Sequence, residues 1–317
     1  MRRIAIINQK GGVGKTTTTV NIGVALARAG HRVLLIDLDP QAHLTLHLGQ
    51  DPGAGQLGTY ELLTGSASFA KARRKAGQNL WLVGSSIDLA GAEVELVSVV
   101  GREVILRDLL DQHVGAGRDH HRPQYDYVLI DCPPSLGVLT LNGLCAAGEV
   151  FIPLQPHYLA LQGLGKLLET ISLVNKRINP GLLVSGVVLC MYDAGTKLAG
   201  EVVQDVRTFF GEAKDQDLPW RATRIFDTVI RRNIKLAEAP SYGQSIFDYA
   251  PDSNGAKDYA RLAAEIHAPP AVLHSEESPE AAAPEAASPQ EVAPPEPPVQ
   301  PEEPPPPSLT PPLGATA

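Results

Sequence analysis

The stretch Lys10-Gly-Gly-Val-Gly-Lys-Thr-Thr17 gathers residue types suited to holding a chain of phosphates. Gly11, Gly12 and Gly14 lack a Cβ, so backbone N–H groups from Gly11 through Val13 to Thr17 can crowd round an anion. Lys15 brings a full positive charge to the outer phosphates, and the Thr16 hydroxyl suits a Mg²⁺ ion. A residue other than glycine stands at the first position of the usual Gly-x-x-x-x-Gly-Lys-[Ser/Thr] pattern. The loop also has a second lysine, Lys10, at its entrance. There Lys10 would crowd a neighbour unless it points away.

Two acidic sites extend the chemistry. Tyr125-Asp-Tyr-Val-Leu-Ile-Asp-Cys-Pro-Pro-Ser135 reads as an apolar strand that delivers Asp131 to its C-terminal end, where it would hold the metal opposite Thr16. Val33-Leu-Leu-Ile36 runs into Asp37-Leu-Asp-Pro-Gln41, again with acids at a strand end. Phosphoryl transfer depends on positioning and charge neutralisation rather than a covalent intermediate. Lys15 and the loop amides would stabilise the transferring group, Asp39 would orient the attacking water, and Asp37 would support the metal's outer shell. The implied reaction is hydrolysis of a nucleoside triphosphate. A guanine-reading Asn-Lys-x-Asp is absent, since Asn175-Lys-Arg-Ile178 lacks the acid, which favours adenine. Base contacts are expected near Cys190-Met191 and in the loop after Ile230.

These groups can meet only at one edge of one sheet. The hydrophobic pattern predicts strands over 3–7, 33–36, 80–83, 125–131, 150–153 and 182–189. Helices are expected over 14–29, 59–63, 88–112, 157–178, 198–211 and 255–267, with an exposed loop over 113–124. Strands alternating with helices mean an α/β fold with a doubly wound, mainly parallel sheet. Open sheets of this kind place ligands beyond the C-terminal ends of their strands.

Composition divides the chain into an expected domain, 1–267, and a tail, 268–317. The tail holds eight of the 35 acidic residues and none of the 27 basic ones, so the whole net charge of −8 resides there. It also has sixteen of the 27 prolines. Such a segment buries too little apolar surface to offset its chain entropy, and disorder is expected. Cys132, Cys145 and Cys190 are widely spaced in apolar sequence and read as reduced interior thiols of a cytoplasmic protein. No signal peptide or membrane-spanning run is visible. His43/His47 and His120-His121 lack the cysteine or acidic company of a metal site.

The loop with its entrance lysine resembles the deviant Walker A loop of the ParA/MinD family of P-loop ATPases. Four more segments resemble the chromosomal ParA/Soj branch: Asp37-Leu-Asp-Pro-Gln41, Ile130-Asp-Cys-Pro-Pro-Ser-Leu136, Pro153-Leu-Gln-Pro-His-Tyr-Leu-Ala-Leu-Gln-Gly-Leu164 and Arg232-Asn-Ile-Lys-Leu-Ala-Glu-Ala-Pro-Ser241. The resemblance implies an ATP-sandwich homodimer that uses ATP and Mg²⁺, with Lys10 contacting the partner's phosphates and Asp39 needed for hydrolysis. It also implies non-specific DNA binding by that dimer, nucleoid association in the ATP state, and turnover that is weak alone and stimulated by a ParB-type centromere-binding protein. For DNA the chain offers Arg221, Arg224, Arg231, Arg232 and Lys235 within fifteen residues, opposed in that window by Asp227 alone. One departure is Gly195, where many relatives carry an arginine thought to touch DNA; Lys197 is the expected substitute.

Four rival readings share the loop. A MinD-like membrane-cycling ATPase would end in a basic amphipathic helix, whereas Ile266-His-Ala-Pro-Pro270 leads here into an acidic tail. An iron-protein-like reductase needs two cluster cysteines, and Cys132 has no evident companion. A non-hydrolysing scaffold would not need Lys15, Asp39 and Asp131 together. A ParA-like ATPase that positions a cargo other than DNA fits the same residues.

Overall fold

The computed structural model describes residues 1–268 apart from 54, 115–124, 158–159 and 194. The tail expected over 268–317 therefore lies, from 269 on, outside the described residues, as do His120-His121 and most of the 113–124 loop.

In chain order the elements are β1 (Arg2–Ile6), α1 (Lys15–Arg28), β2 (Val33–Asp37), α2 (His43–His47), α3 (Thr59–Leu63), α4 (Phe69–Ala72), β3 (Arg73–Gly77), β4 (Leu80–Val83), α5 (Leu89–Glu95), α6 (Ile105–His113), β5 (Tyr127–Asp131) and α7 (Val138–Ala146). There follow β6 (Glu149–Leu154), α8 (Ala160–Arg177), β7 (Leu183–Tyr192), α9 (Lys197–Glu212), β8 (Arg224–Ile225), β9 (Ile230–Arg231), α10 (Ile234–Glu238), α11 (Ile246–Tyr249) and α12 (Asn254–His267). The strands form one sheet in the order β3-β4-β2-β5-β1-β6-β7-β8, with β9 also paired to β7. Every described pairing is parallel except β3 with β4.

The strands are apolar on both sides because helices cover both faces. Alternate residues serve opposite cores. Ala5, Leu34, Ile36, Val128 and Ile130 join the cluster under α5 to α9, while Ile4, Ile6, Leu35 and Leu129 join that under α1 and α12. Helix α1 lies close on β2: a Cβ on Gly23 would stand 2.6 Å from the Leu35 side chain, so glycine sets that approach.

The helix expected over 88–112 is broken. α5 passes into a 3₁₀ turn, Leu96–Ser98, and α6 begins only at Ile105. Val99 is extended and Gly101 has φ 75°, so this stretch leaves the helical region. Helix α7 and the short elements α2, α4, β3, β8, β9, α10 and α11 add to those expected. α7 has no helical period to find, since seven of its nine residues are buried.

Candidate active site

The loop between β1 and α1 lies at the C-terminal edge of the sheet. Gly12 and Gly14 have φ 73° and 93°, left-handed values that suit glycine. A Cβ on Gly14 would meet Cys190 only at 3.8 Å, so backbone twist rather than crowding demands glycine there. Lys15 opens α1 and is buried. Its Nζ donates to the Lys10 carbonyl at 3.2 Å. Burial lowers its pKa, while the charges of Asp131 and Asp39 act in the opposite sense.

Strand register brings the acids together. Asp131 on β5 pairs with Ile6 on β1 and with Asp37 on β2. Thr16 Oγ1 donates to Asp131 Oδ2 at 2.7 Å, and Thr19 Oγ1, one turn along α1, lies 3.0 Å from Oδ1. Asp37 is fully buried; it accepts from Thr45 N at 3.0 Å, Thr45 Oγ1 at 2.7 Å and Asp39 N at 3.1 Å. Burial pushes both carboxyl pKa values up, and the Asp37 charge raises that of Asp131 further.

This donor set fits a small hard cation. Two buried carboxylates stand side by side with Lys15 as nearby cation, and the Thr16 hydroxyl adds a third oxygen. Mg²⁺ takes one or two protein carboxylates and fills the rest of its shell with water and phosphate oxygens. Asp131 and Thr16 could hold the ion, with Asp37 behind them.

Asp39 sits where the Asp37–Pro40 turn faces the loop; its Oδ1 accepts the Gln41 N–H at 3.0 Å. The loop and the turn with Asp39 line an open cleft of about 1320 Å³ that also takes in Pro133, Pro134, Met191, Ile230–Ile234 and Leu236. Met191 has φ 50° at a slip in the β7–β9 register, between Cys190↔Ile230 and Tyr192↔Arg231. A non-glycine residue in that region costs of order 1 kcal/mol, a strain that collects at functional sites. Lys10 is exposed, and its ammonium meets the His157 imidazole rather than turning into its own loop.

The basic residues separate into two groups. Arg231 grips the buried Asp258 carboxylate through Nε at 2.9 Å and a terminal nitrogen at 2.6 Å, and Arg261 adds a bond at 2.7 Å. Arg224 lies over the Phe226 ring and donates to the Glu265 carbonyl at 2.6 Å. Both point into the protein's own surface. Arg232 is exposed beside the cleft. Lys197, Arg221 and Lys235 are exposed and pair with Glu201, Asp217 and Glu238 one turn away. Such solvated pairs are weak and exchange readily for a phosphate. Gly195 closes a turn on Asp193. The basic stretch is thus opposed by more than Asp227: Asp217, Glu238, Asp258 and Glu265 come from outside the window or its neighbouring turns.

Sequence reasoning passed over Thr19 and Thr45. The Thr16–Thr19 spacing, one helical turn, was a legible sign of shared aim. Thr45 carries no such sign. His47, expected to be no metal ligand, is buried and held by the Gln244 backbone. Cys132, Cys145 and Cys190 are buried free thiols. No helix among the described residues is long and apolar enough to cross a membrane.

A family model described as an AAA domain matches residues 1–184. The chain is 46% identical over 266 residues to the chromosome-partitioning ATPase Soj of Treponema pallidum, covering 84% of this chain and 96% of that one. It is 42% identical over 267 residues to the chromosome partitioning protein ParA of Caulobacter vibrioides, covering 84% and 94%. Among solved structures it resembles one named cobyrinic acid a,c-diamide synthase, from Mycobacterium smegmatis, with bound ATP analogue and magnesium. That likeness has TM-score 0.67 and 39% identity, covering 83% of this chain and 93% of that one.

Proposed function

The chain belongs to the Soj/ParA family of chromosome-partitioning ATPases, and from that premise we propose that it is a DNA-partitioning switch whose ATP-bound homodimer holds DNA without sequence preference and lets go on hydrolysis. Its nucleotide is ATP, its metal Mg²⁺. It resides in the cytoplasm, on the nucleoid when ATP-bound, and a ParB-type centromere-binding protein accelerates an otherwise weak turnover. The Mycobacterium structure bears a synthase's name; the two curated relatives of higher identity are named for partitioning, and the reading follows them.

One observation carries the proposal. Lys15 is buried and turned into the loop, whereas Lys10 is exposed with its ammonium outside it. A lysine whose ammonium lies outside its own loop, against His157 at the surface, can be turned to the phosphates of a second copy. The residues then divide the work. Gly11, Gly12, Val13, Gly14, Thr16 and Thr17 offer backbone N–H groups, and Lys15 supplies charge within the loop. Thr16 and Asp131 would hold Mg²⁺, which when bound neutralises charge on the phosphates. Asp39 orients the attacking water, Asp37 fixes Asp39 through its backbone N–H, and Met191 bounds the base.

For DNA we propose Arg232, Lys197, Arg221 and Lys235 as the phosphate contacts, with Arg224 and Arg231 shaping the surface that carries them. The test of the sandwich is sedimentation velocity of Asp39→Ala with Mg·ATP and with Mg·ADP. A dimer with ATP alone is expected. One and the same species with either nucleotide would overturn the reading.

A further inference from the structure

Asn8 stands between the end of β1 and the loop entrance, and it is buried. Its carboxamide makes two bonds to backbone. Oδ1 accepts the Lys10 N–H at 3.0 Å, and Nδ2 donates to the Pro153 carbonyl on β6 at 2.8 Å. The first bond closes an Asx turn, which fixes the direction in which the chain carries the Lys10 side chain. The second ties that turn to a central strand of the sheet. Just beyond β6 the chain brings His157 to the Lys10 ammonium. Lys10 is therefore held at its backbone N–H and at its side-chain tip from outside the phosphate loop, while its carbonyl accepts from Lys15 Nζ. Among the described residues no hydrogen bond joins Asn8 to Lys15, Thr16 or Asp131.

We propose that Asn8 is a positioning residue for Lys10. It presents the lysine outward, toward a nucleotide held by a second copy of this chain, and takes no part in holding the nucleotide of its own loop. This rests on the ATP-bridged dimer proposed for the chain. The chemistry is specific to a short carboxamide. Serine can accept the Lys10 N–H but falls short of Pro153. Glutamine can donate to Pro153 but is one methylene too long to close the turn. Alanine does neither.

The experiment is steady-state turnover of the full chain with duplex DNA present, alongside its affinity for a fluorescent ATP analogue. Asn8→Ala should lower kcat about ten-fold or more through a misplaced Lys10, with analogue affinity kept within about two-fold. Asn8→Ser should restore much of kcat, and Asn8→Gln should not. In a Lys10→Ala background, Asn8→Ala should change kcat by less than about two-fold, because the residue it acts through is gone. An additive loss in that background, or analogue affinity falling in step with kcat, would overturn the proposal and make Asn8 a support of the whole loop. If Asn8→Ala fails to fold, Asn8→Ser and Asn8→Gln still decide: equal kcat in the two refutes the turn as cause. Parental turnover by Lys10→Ala alone would refute the role of Lys10 itself, a failure of the dimer reading distinct from any result at Asn8.

Discussion

Replacing Asp258 by asparagine tests how the basic surface is built. Asp258 is only 1% exposed, yet its carboxylate accepts from Arg231 Nε, from a terminal nitrogen of Arg231, from the Arg231 backbone N–H and from Arg261. These bonds hold its pKa below the usual carboxylate range in spite of burial. In Asp258→Asn the carboxamide keeps one acceptor oxygen and loses the charge and the second oxygen. A charge-assisted hydrogen bond contributes roughly 1.5–3 kcal/mol, and the Arg231 side chain is 41% exposed and screened by solvent. The net loss should be about 2–3 kcal/mol, a fall of roughly 4–5 °C in Tm for a domain of this size. Freed from Asp258, Arg231 can turn toward solvent beside Arg232. DNA retention by the ATP-loaded protein should then strengthen at low salt, and the slope of log affinity against log salt should steepen by about 0.9 per added phosphate contact. Thermal unfolding and a salt series on random-sequence duplex DNA measure both. An unchanged Tm, or a shallower salt slope, would refute the reasoning.

Gly14→Ala forces a left-handed φ of 93° on a residue with a Cβ; ATP affinity measured by titration should fall at least about ten-fold as the loop amides turn away, with a stability loss of roughly 1–2 kcal/mol. His47 is buried and its pKa is pushed down to about 4 by loss of solvation. The unfolded chain takes up this proton near 6.5 and the native state does not, so the stability His47 confers is complete above that pH and declines as pH falls toward 4. Unfolding free energies from urea curves at pH 7.5 and pH 5 should differ by about 2 kcal/mol from this group, a difference that His47→Gln removes. An equal pH dependence in parent and variant would show that other groups carry it.

The chemical heart of the molecule was legible because its residues are local. Lys10 to Thr17, Asp37 to Pro40 and Asp131 each follow a strand, and a parallel sheet places strand ends together. What stayed hidden was set by distant partners. The stretch from Arg221 to Lys235 counts as basic in sequence, yet α12 returns Asp258 and Glu265 to Arg231 and Arg224 from some thirty to forty residues on. β3, with Arg73, Arg74 and Lys75, gives no apolar alternation; it is an antiparallel edge strand. Met191, weakly indicated in sequence, owes its place in the cleft wall to a register slip that no local pattern announces.

The most direct measurement is retention of Asp39→Ala protein on random-sequence duplex DNA, with Mg·ATP and then with Mg·ADP, across a salt series. Blocked hydrolysis should trap the ATP dimer, whose paired basic faces hold DNA more strongly than one face can. Retention that needs ATP, fades with salt and falls on Arg232→Ala is the expected result. A dimer that forms with ATP and passes over DNA as freely as the ADP state would contradict it.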